Sequence, residues 1–314
     1  MRRLSLLICW LLPMKRVSYA TAMSLLIALP GHIGGQSIES APPMLAELAG
    51  VIAYDELGWT DPVTGKEYAL VGRPNGTAFI DVSDPDSPIL VGYLHLAEGA
   101  FESLGRDIKV YRDHSFIVAD GAGEHGVQVF DLTRLRGVTT TPATFSETAH
   151  YDRIHSAHSI VINAETGAAF VVGSNGGGET CAGGLHMIDI REPAQPEFAG
   201  CFSHTGRGHS GTGHIHYAQC VIYRGPDEIY RGREICFVAN EVAVIIADVT
   251  DRENPVALAS AEYPGVGDVH HGWLAEDHRY FFLGDEGYEI VWDVTELEDP
   301  VVVRGVTARS SLAE

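Results

Sequence analysis

Positive charge is scarce in this sequence. The 314 residues include 21 Lys and Arg against 42 Asp and Glu, a formal net charge of −21. Nucleic acid needs a basic surface to displace its counterions, so it is not the partner. Long apolar runs are also missing. The two near the N-terminus are too short to read as membrane spans. Cysteine is sparse, at five residues, and none lies in the paired C-x-x-C of a structural zinc site. There is no G-x-S-x-G elbow, no H-E-x-x-H helix and no cysteine-nucleophile signature. The glycine-rich "GSNGGGETCAGG" lacks the lysine and spacing of a phosphate loop and reads as a long surface loop.

Glycine (35) and histidine (15) are plentiful. Many glycines between short apolar stretches point to strands and tight turns rather than helix bundles. The first 35 residues read as an export segment. Met14-Lys15-Arg16 is a basic start, and Ala20 to Leu29 is a short apolar core, so translation from Met14 would suffice. A membrane-retained anchor is the alternative. Residues 36–50 read as a linker.

Internal repetition decides the fold class. Five phrases align: "FIDVSDPDSPILVGYL", "VFDLTRLRGVTTTPATF", "MIDIREPAQPEFAGCF", "IADVTDRENPVALASAEY" and "VWDVTELEDPVVVRGV". Each is an apolar strand ending in aspartate, then a polar turn and a second strand. The shared aspartates are Asp81, Asp131, Asp189, Asp248 and Asp293, spaced by 50, 58, 59 and 45 residues. Further short strands precede each one, giving about four strands per unit. Such units repeated radially make an all-β protein, a β-propeller of four-stranded blades over residues 51–306. Five blades are visible, and 307–314 read as a non-blade tail.

The stretches "GWTDPVTGKEYALVGRPNGTAFIDVSDPDSP", "RDIKVYRDHSFIVAD", "GVQVFDLTRLR", "SAHSIVIN", "CAGGLHMIDI" and "HHGWLAEDHRYFFLGDE" resemble the choice-of-anchor B proteins. These are bacterial surface or secreted proteins built from LVIVD-type repeats, some labelled regulatory P domain-containing. The resemblance covers about residues 51 to 305. It implies export and surface attachment, and no established reaction. Members normally continue with further blades, so the resemblance implies a shortened version of a seven-bladed ring. Two outcomes stay open: a partial ring that self-associates through its exposed blade edges, or five blades that close tightly.

The inner strands of successive blades begin at "RDIKV", "AHSIVI", "HYAQCVI" and "HHGWL". Aligned on their apolar residues, these place Asp107, His158, His216 and His271 at the strand entrances, converging on a central channel. Tyr217 follows His216, where the resembling family commonly has aspartate, which weakens a carboxylate-assisted metal site. His209 and His214 lie in the preceding loop "GRGHSGTG". His270 and His271 point to opposite faces of a strand, so only one can face the channel. Three roles stay open for the cluster: a divalent transition metal site, hydrogen bonds that lock neighbouring blades, or acid–base catalysis.

Four cysteines lie beyond the export segment, an even number that suits disulfides outside the cell. Cys220 and Cys236 flank the turn "GPDEIYRG" symmetrically and should face each other across a hairpin. Cys181 and Cys201 form the second expected pair. Buried free thiols are the alternative. The sequence thus suggests an exported, non-enzymatic propeller that binds a protein, glycan or cell-wall component. A metal-dependent, lactonase-like hydrolase with a metal in the channel is the competing reading.

Overall fold

The structure, a computed structural model, describes residues 56–307 apart from 205, 207–212 and 286–287. The expected export segment and linker, residues 308–314 and His209 lie outside the described residues. Among these residues, no helix is long and apolar enough to cross a membrane.

Five successive sheets follow the repeats. Blade 1 comprises β1 (Glu56–Thr60), β2 (Glu67–Arg73), β3 (Gly76–Asp81) and β4 (Ile89–His95). Blade 2 starts with β5 (Arg106–Tyr111), β6 (His114–Ala119) and β7 (Val127–Asp131). The chain then adds β8 (Ala143–Phe145) parallel to β4 before β9 (Ala149–Tyr151) completes blade 2. A small ribbon pairs β10 (Ile154–Ser156) with β13 (Asn175–Gly177). Blade 3 holds β11 (Ser159–Asn163), β12 (Ala168–Val172), β14 (Leu185–Asp189) and β15 (Glu197–Phe202). Blade 4 holds β16 (Tyr217–Ile222), β17 (Glu234–Ala239), β18 (Val244–Asp248) and β19 (Val256–Ala261). Blade 5 holds β20 (Val269–Leu274), β21 (Tyr280–Asp285), β22 (Tyr288–Asp293) and β23 (Val301–Thr307). Neighbouring strands within each blade are antiparallel. The inner strands β1, β5, β11, β16 and β20 pack side by side in chain order. This is the β-propeller the repeats predict.

The repeated aspartate has a local cause. Asp81, Asp131, Asp189, Asp248 and Asp293 each end the third strand of a blade. Each accepts a hydrogen bond from the backbone N–H two residues on, at 2.9–3.1 Å. That is an Asx-turn, which starts the reversal into the next strand. Between blades lie apolar layers. Phe79, Phe130 and Leu70 join blades 1 and 2, and Phe116, Val171 and Ile188 join blades 2 and 3. Phe170, Met187 and Val238 join blades 3 and 4, and Phe237, Phe281 and Trp292 join blades 4 and 5. The stack of Phe237 on Phe281, with centroids 5.2 Å apart, is typical of these seams.

Both expected disulfides are present. Cys220 and Cys236 are directly opposed in the β16–β17 ladder and bonded. Cys181, in the turn before β14, is bonded to Cys201 in β15.

Candidate functional site at the inner-strand entrances

Strand register determines which side chains meet. Asp107 opposes Val118, Ser159 opposes Val172, Tyr217 opposes Ala239, and His271 opposes Gly284. These four partners all lie at the same distance from the residue that pairs with the blade's signature aspartate, so the four positions are equivalent. The residues one place earlier are Arg106, His158, His216 and His270. Successive residues of a strand point to opposite faces, so this single step separates two sets of side chains.

The structure brings together the earlier set from blades 3 to 5. The His158 and His216 rings lie 4.1 Å apart between centroids, and His216 and His270 also lie 4.1 Å apart, edge to face. His158 and His216 extend their strands by donating backbone N–H bonds to Val172 and Ala239. The β20–β21 register shifts between Val269 and His271, leaving His270 as an extra residue in a bulge. The bulge turns its ring toward His216.

Two of the four expected residues therefore belong elsewhere. Asp107 does not join the array. Its carboxylate reaches into blade 3 and accepts bonds from Ser159 Oγ at 2.5 Å and the Ile160 N–H at 2.8 Å. Lys109 also pairs with it. Asp107 is thus an inter-blade lock. His271 points to the other face, with its ring 5.6 Å from Trp273. Arg106, at the fourth equivalent place, is buried. It donates to the Arg73 carbonyl at 2.6 Å and contacts His125 Nε2 at 2.8 Å.

One carboxylate joins the array and a second lies beside the neighbouring His214, both from positions that sequence reasoning missed. Asp120 Oδ2 lies 3.0 Å from His158 Nδ1. Glu241 Oε1 lies 3.5 Å from His214 Nδ1. Asp120 and Glu241 are themselves equivalent, each six residues beyond the partner of a signature aspartate, His114 and Ile235. Their recurrence after the second strand, in "VADG" and "VANE", was the available signal. Gly173 permits the close approach. Its φ is +62°, and a Cβ there would lie 2.6 Å from His158 Cβ and 3.2 Å from His214 Nε2.

Electrostatics keep the centre of the array uncharged. Burial, then the neighbouring His158 and His270, push the His216 pKa down to about 4. The hydrogen bond from His158 holds the Asp120 carboxyl below its ordinary value, so Asp120 is ionised at neutral pH. His216 Nδ1 faces the His270 carbonyl at 3.1 Å. With Nδ1 of His158 and of His216 both held by oxygen acceptors, the Nε2 lone pairs are the available ones. Among the described residues, three ligand atoms within 4.8 Å of one another occur at Glu179, Cys181 and Cys201. The disulfide consumes both of those sulfurs. A separate cleft of about 730 Å³ is lined by Glu98, Glu124, Glu147, Asp152, His150 and His155.

No protein-family model matches the chain, and no curated protein matches it. Solved structures are similar in fold. A functionally unknown protein from Desulfotomaculum acetoxidans superposes with a TM-score of 0.54 at 14% identity, over 82% of this chain and 71% of that one. The periplasmic gluconolactonase of Pseudomonas aeruginosa gives 0.53 at 14% identity, over 77% and 67%. A Lactobacillus plantarum protein gives 0.53 at 12% identity, over 76% and 65%. At such identities the likeness is one of fold alone.

Proposed function

We propose that this protein is an exported β-propeller of the choice-of-anchor B type, and that it acts by binding. Its recognition site is the histidine array at the inner-strand entrances, and its partner is a glycan of the cell wall or cell surface. The observation that carries this reading is the meeting of His158, His216 and His270 from three different blades. An uncharged His216 imidazole among the array's ring nitrogens, beside an ionised Asp120, offers the mixed donor and acceptor edge that a polyhydroxylated ligand requires. Export is supported by two disulfides, which persist in oxidising compartments.

The test is co-sedimentation of purified protein with peptidoglycan sacculi and with cell-surface polysaccharide. Wild type should pellet with one of them, and the His158→Ala/His216→Ala double variant should bind at least about tenfold more weakly, a loss of about 1.4 kcal/mol. A folded wild type that pellets with neither, or a double variant that binds equally well, counts against the reading.

A second reading, a metal-dependent hydrolase, is favoured by the engaged Nδ1 atoms. A metal-binding histidine commonly has its other nitrogen held in this way. A gluconolactonase shares the fold, although fold does not carry chemistry across. His158 and His216 would offer Nε2, with Asp120 orienting His158. Metal analysis of the purified protein, with a lactone-hydrolysis assay, separates the readings. Stoichiometric metal together with turnover supports the hydrolase. Metal-free, inert protein that still binds glycan supports the first reading.

A further inference from the structure

Metal-ligating side chains outside the histidine array gather around one of the two disulfides. Cys181 is buried, and the fully buried ring of His186 stands against it, with Nδ1 3.5 Å from Sγ. Tyr151 holds the other ring nitrogen, Oη to Nε2 at 2.7 Å. The Cys181 N–H donates to Glu179 Oε1 at 3.0 Å, which fixes that carboxylate beside the bond. One oxygen of Glu179 and the two sulfurs lie within 4.8 Å of one another. Among the described residues, no such group surrounds Cys220 and Cys236, which lie in a regular ladder with apolar neighbours. A pair that only staples a hairpin needs neither an imidazole nor a carboxylate. Cys181 and Ala182 also adopt left-handed backbone, with φ of +50° and +53°, which is uncommon for residues other than glycine. Strain of this kind persists where the surroundings over-determine it, as they do at functional positions.

We infer that Cys181, Cys201, His186 and Glu179 form a redox-gated zinc site, closed as a disulfide and open to a single zinc ion once the bond is reduced. Two thiolates, an imidazole and a carboxylate are ligands that zinc takes in tetrahedral sites. Zinc bonds of about 2.3 Å to sulfur and about 2.0 Å to nitrogen hold those donors about 3.5 Å apart, as Cys181 and His186 already are. With Nε2–H donated to the Tyr151 oxygen, the Nδ1 lone pair is free for the metal. Burial keeps the His186 ring neutral, the form that ligates. In an oxidising compartment the bond is the standing form. A dithiol reductant opens it by exchange. Its first sulfur attacks Cys201, the less buried cysteine, and Cys181 leaves as the thiolate. Its second sulfur then releases Cys201, so the reductant departs as a disulfide and its two protons pass to the cysteines. Zinc displaces both protons to solvent on binding. Glu179 is exposed, which gives the ion a way in. The turn tied down in this way braces the array. The Gly183 carbonyl accepts from Gly173, beside His158, at 3.1 Å and from Ile215, next to His216, at 3.0 Å. Either cross-link, disulfide or zinc, holds that turn. The inference rests on neither reading of the array itself.

The experiment treats the folded protein with dithiothreitol, removes the reductant without oxygen, and adds Co²⁺ as a spectroscopic stand-in for zinc. Alkylation with peptide mapping reports which bond has opened, and circular dichroism reports that the fold is kept. Reduced protein should take up a single Co²⁺ with thiolate-to-metal charge-transfer absorption and the strong visible bands of a tetrahedral site. Equimolar Zn²⁺ should abolish both signals, and oxidised protein should show neither. Sulfur charge transfer separates this site from a metal on the histidine array, which needs no reduction. Cys181→Ser/Cys201→Ser should lose the absorption, whereas Cys220→Ser/Cys236→Ser should keep it. Glu179→Gln, an exposed change that leaves the fold intact, should bind Co²⁺ at least about tenfold more weakly, since even partners behind the ligands are worth that much. Three results overturn the inference: a Cys181–Cys201 bond that stays closed in the folded protein, reduced protein without thiolate–cobalt absorption, or a Cys181→Ser/Cys201→Ser variant that retains it.

Discussion

Replacing Asp107 by alanine should destabilise the fold and leave the histidine array intact. The carboxylate satisfies Ser159 Oγ and the Ile160 N–H, and both of those residues are buried. Hydrogen bonds to a charged group contribute about 1.5–3 kcal/mol each, and a buried group left without a partner costs about 1–3 kcal/mol. The cost of desolvating the aspartate offsets part of this, so we expect a net loss of about 2–4 kcal/mol. For a domain of this size that lowers the melting temperature by about 4–16 °C. Urea and thermal melts followed by circular dichroism give the number. Asp107→Asn keeps one acceptor oxygen and should lose about half as much. The imidazole NMR signals of His158, His216 and His270 should not move in either variant. A loss below about 0.5 kcal/mol, within the range of ordinary surface changes, would refute the assignment of Asp107 as an inter-blade lock.

Other parts of the structure respond in their own ways. Cys220→Ser/Cys236→Ser should cost about 2–4 kcal/mol, and peptide mapping without reduction should recover the two segments joined; recovery of free thiols from protein secreted under oxidising conditions would reject the bond. Phe237→Ala removes a fully buried ring from the seam of blades 4 and 5 and should cost about 3–5 kcal/mol in urea melts. His125 and His186 are buried, and burial lowers both pKa values to about 4. The unfolded chain therefore takes up protons first as the medium is acidified. Stability should be full above pH 6.5 and fall steadily between about pH 6.5 and 4, by at most roughly 3 kcal/mol per histidine, whereas a flat profile would contradict their burial. Gly173→Ala should destabilise the fold through its positive φ and displace His158, which a changed His158 signal would report.

The fold was legible because its signals are local. The signature aspartate makes an Asx-turn from its own strand end, so the turn recurs in sequence wherever it recurs in space. The Cys220–Cys236 bond was legible because a hairpin fixes its register by its turn. The site was only half legible. His158 and His216 were placed correctly, but the alignment slipped by one residue at the two ends of the row. At one end the equivalent residue is Arg106, whose side chain turns to blade 1 and His125 instead of the array. At the other, a bulge that depends on pairing with β21 selects His270 over His271. Asp120 and Glu241 went unrecognised because they follow the second strand rather than precede the first. Their contact with histidines crosses between blades or from a loop.

One register position gathers His158, His216 and His270 into a single array of touching rings. Histidine titration by NMR tests it most directly. With burial and then its neighbours lowering it, His216 should titrate near pH 4, and His158→Ala or His270→Ala should move it up by removing a neighbouring imidazole. A His216 that titrates near 6.5 in the wild type and ignores both substitutions would contradict it.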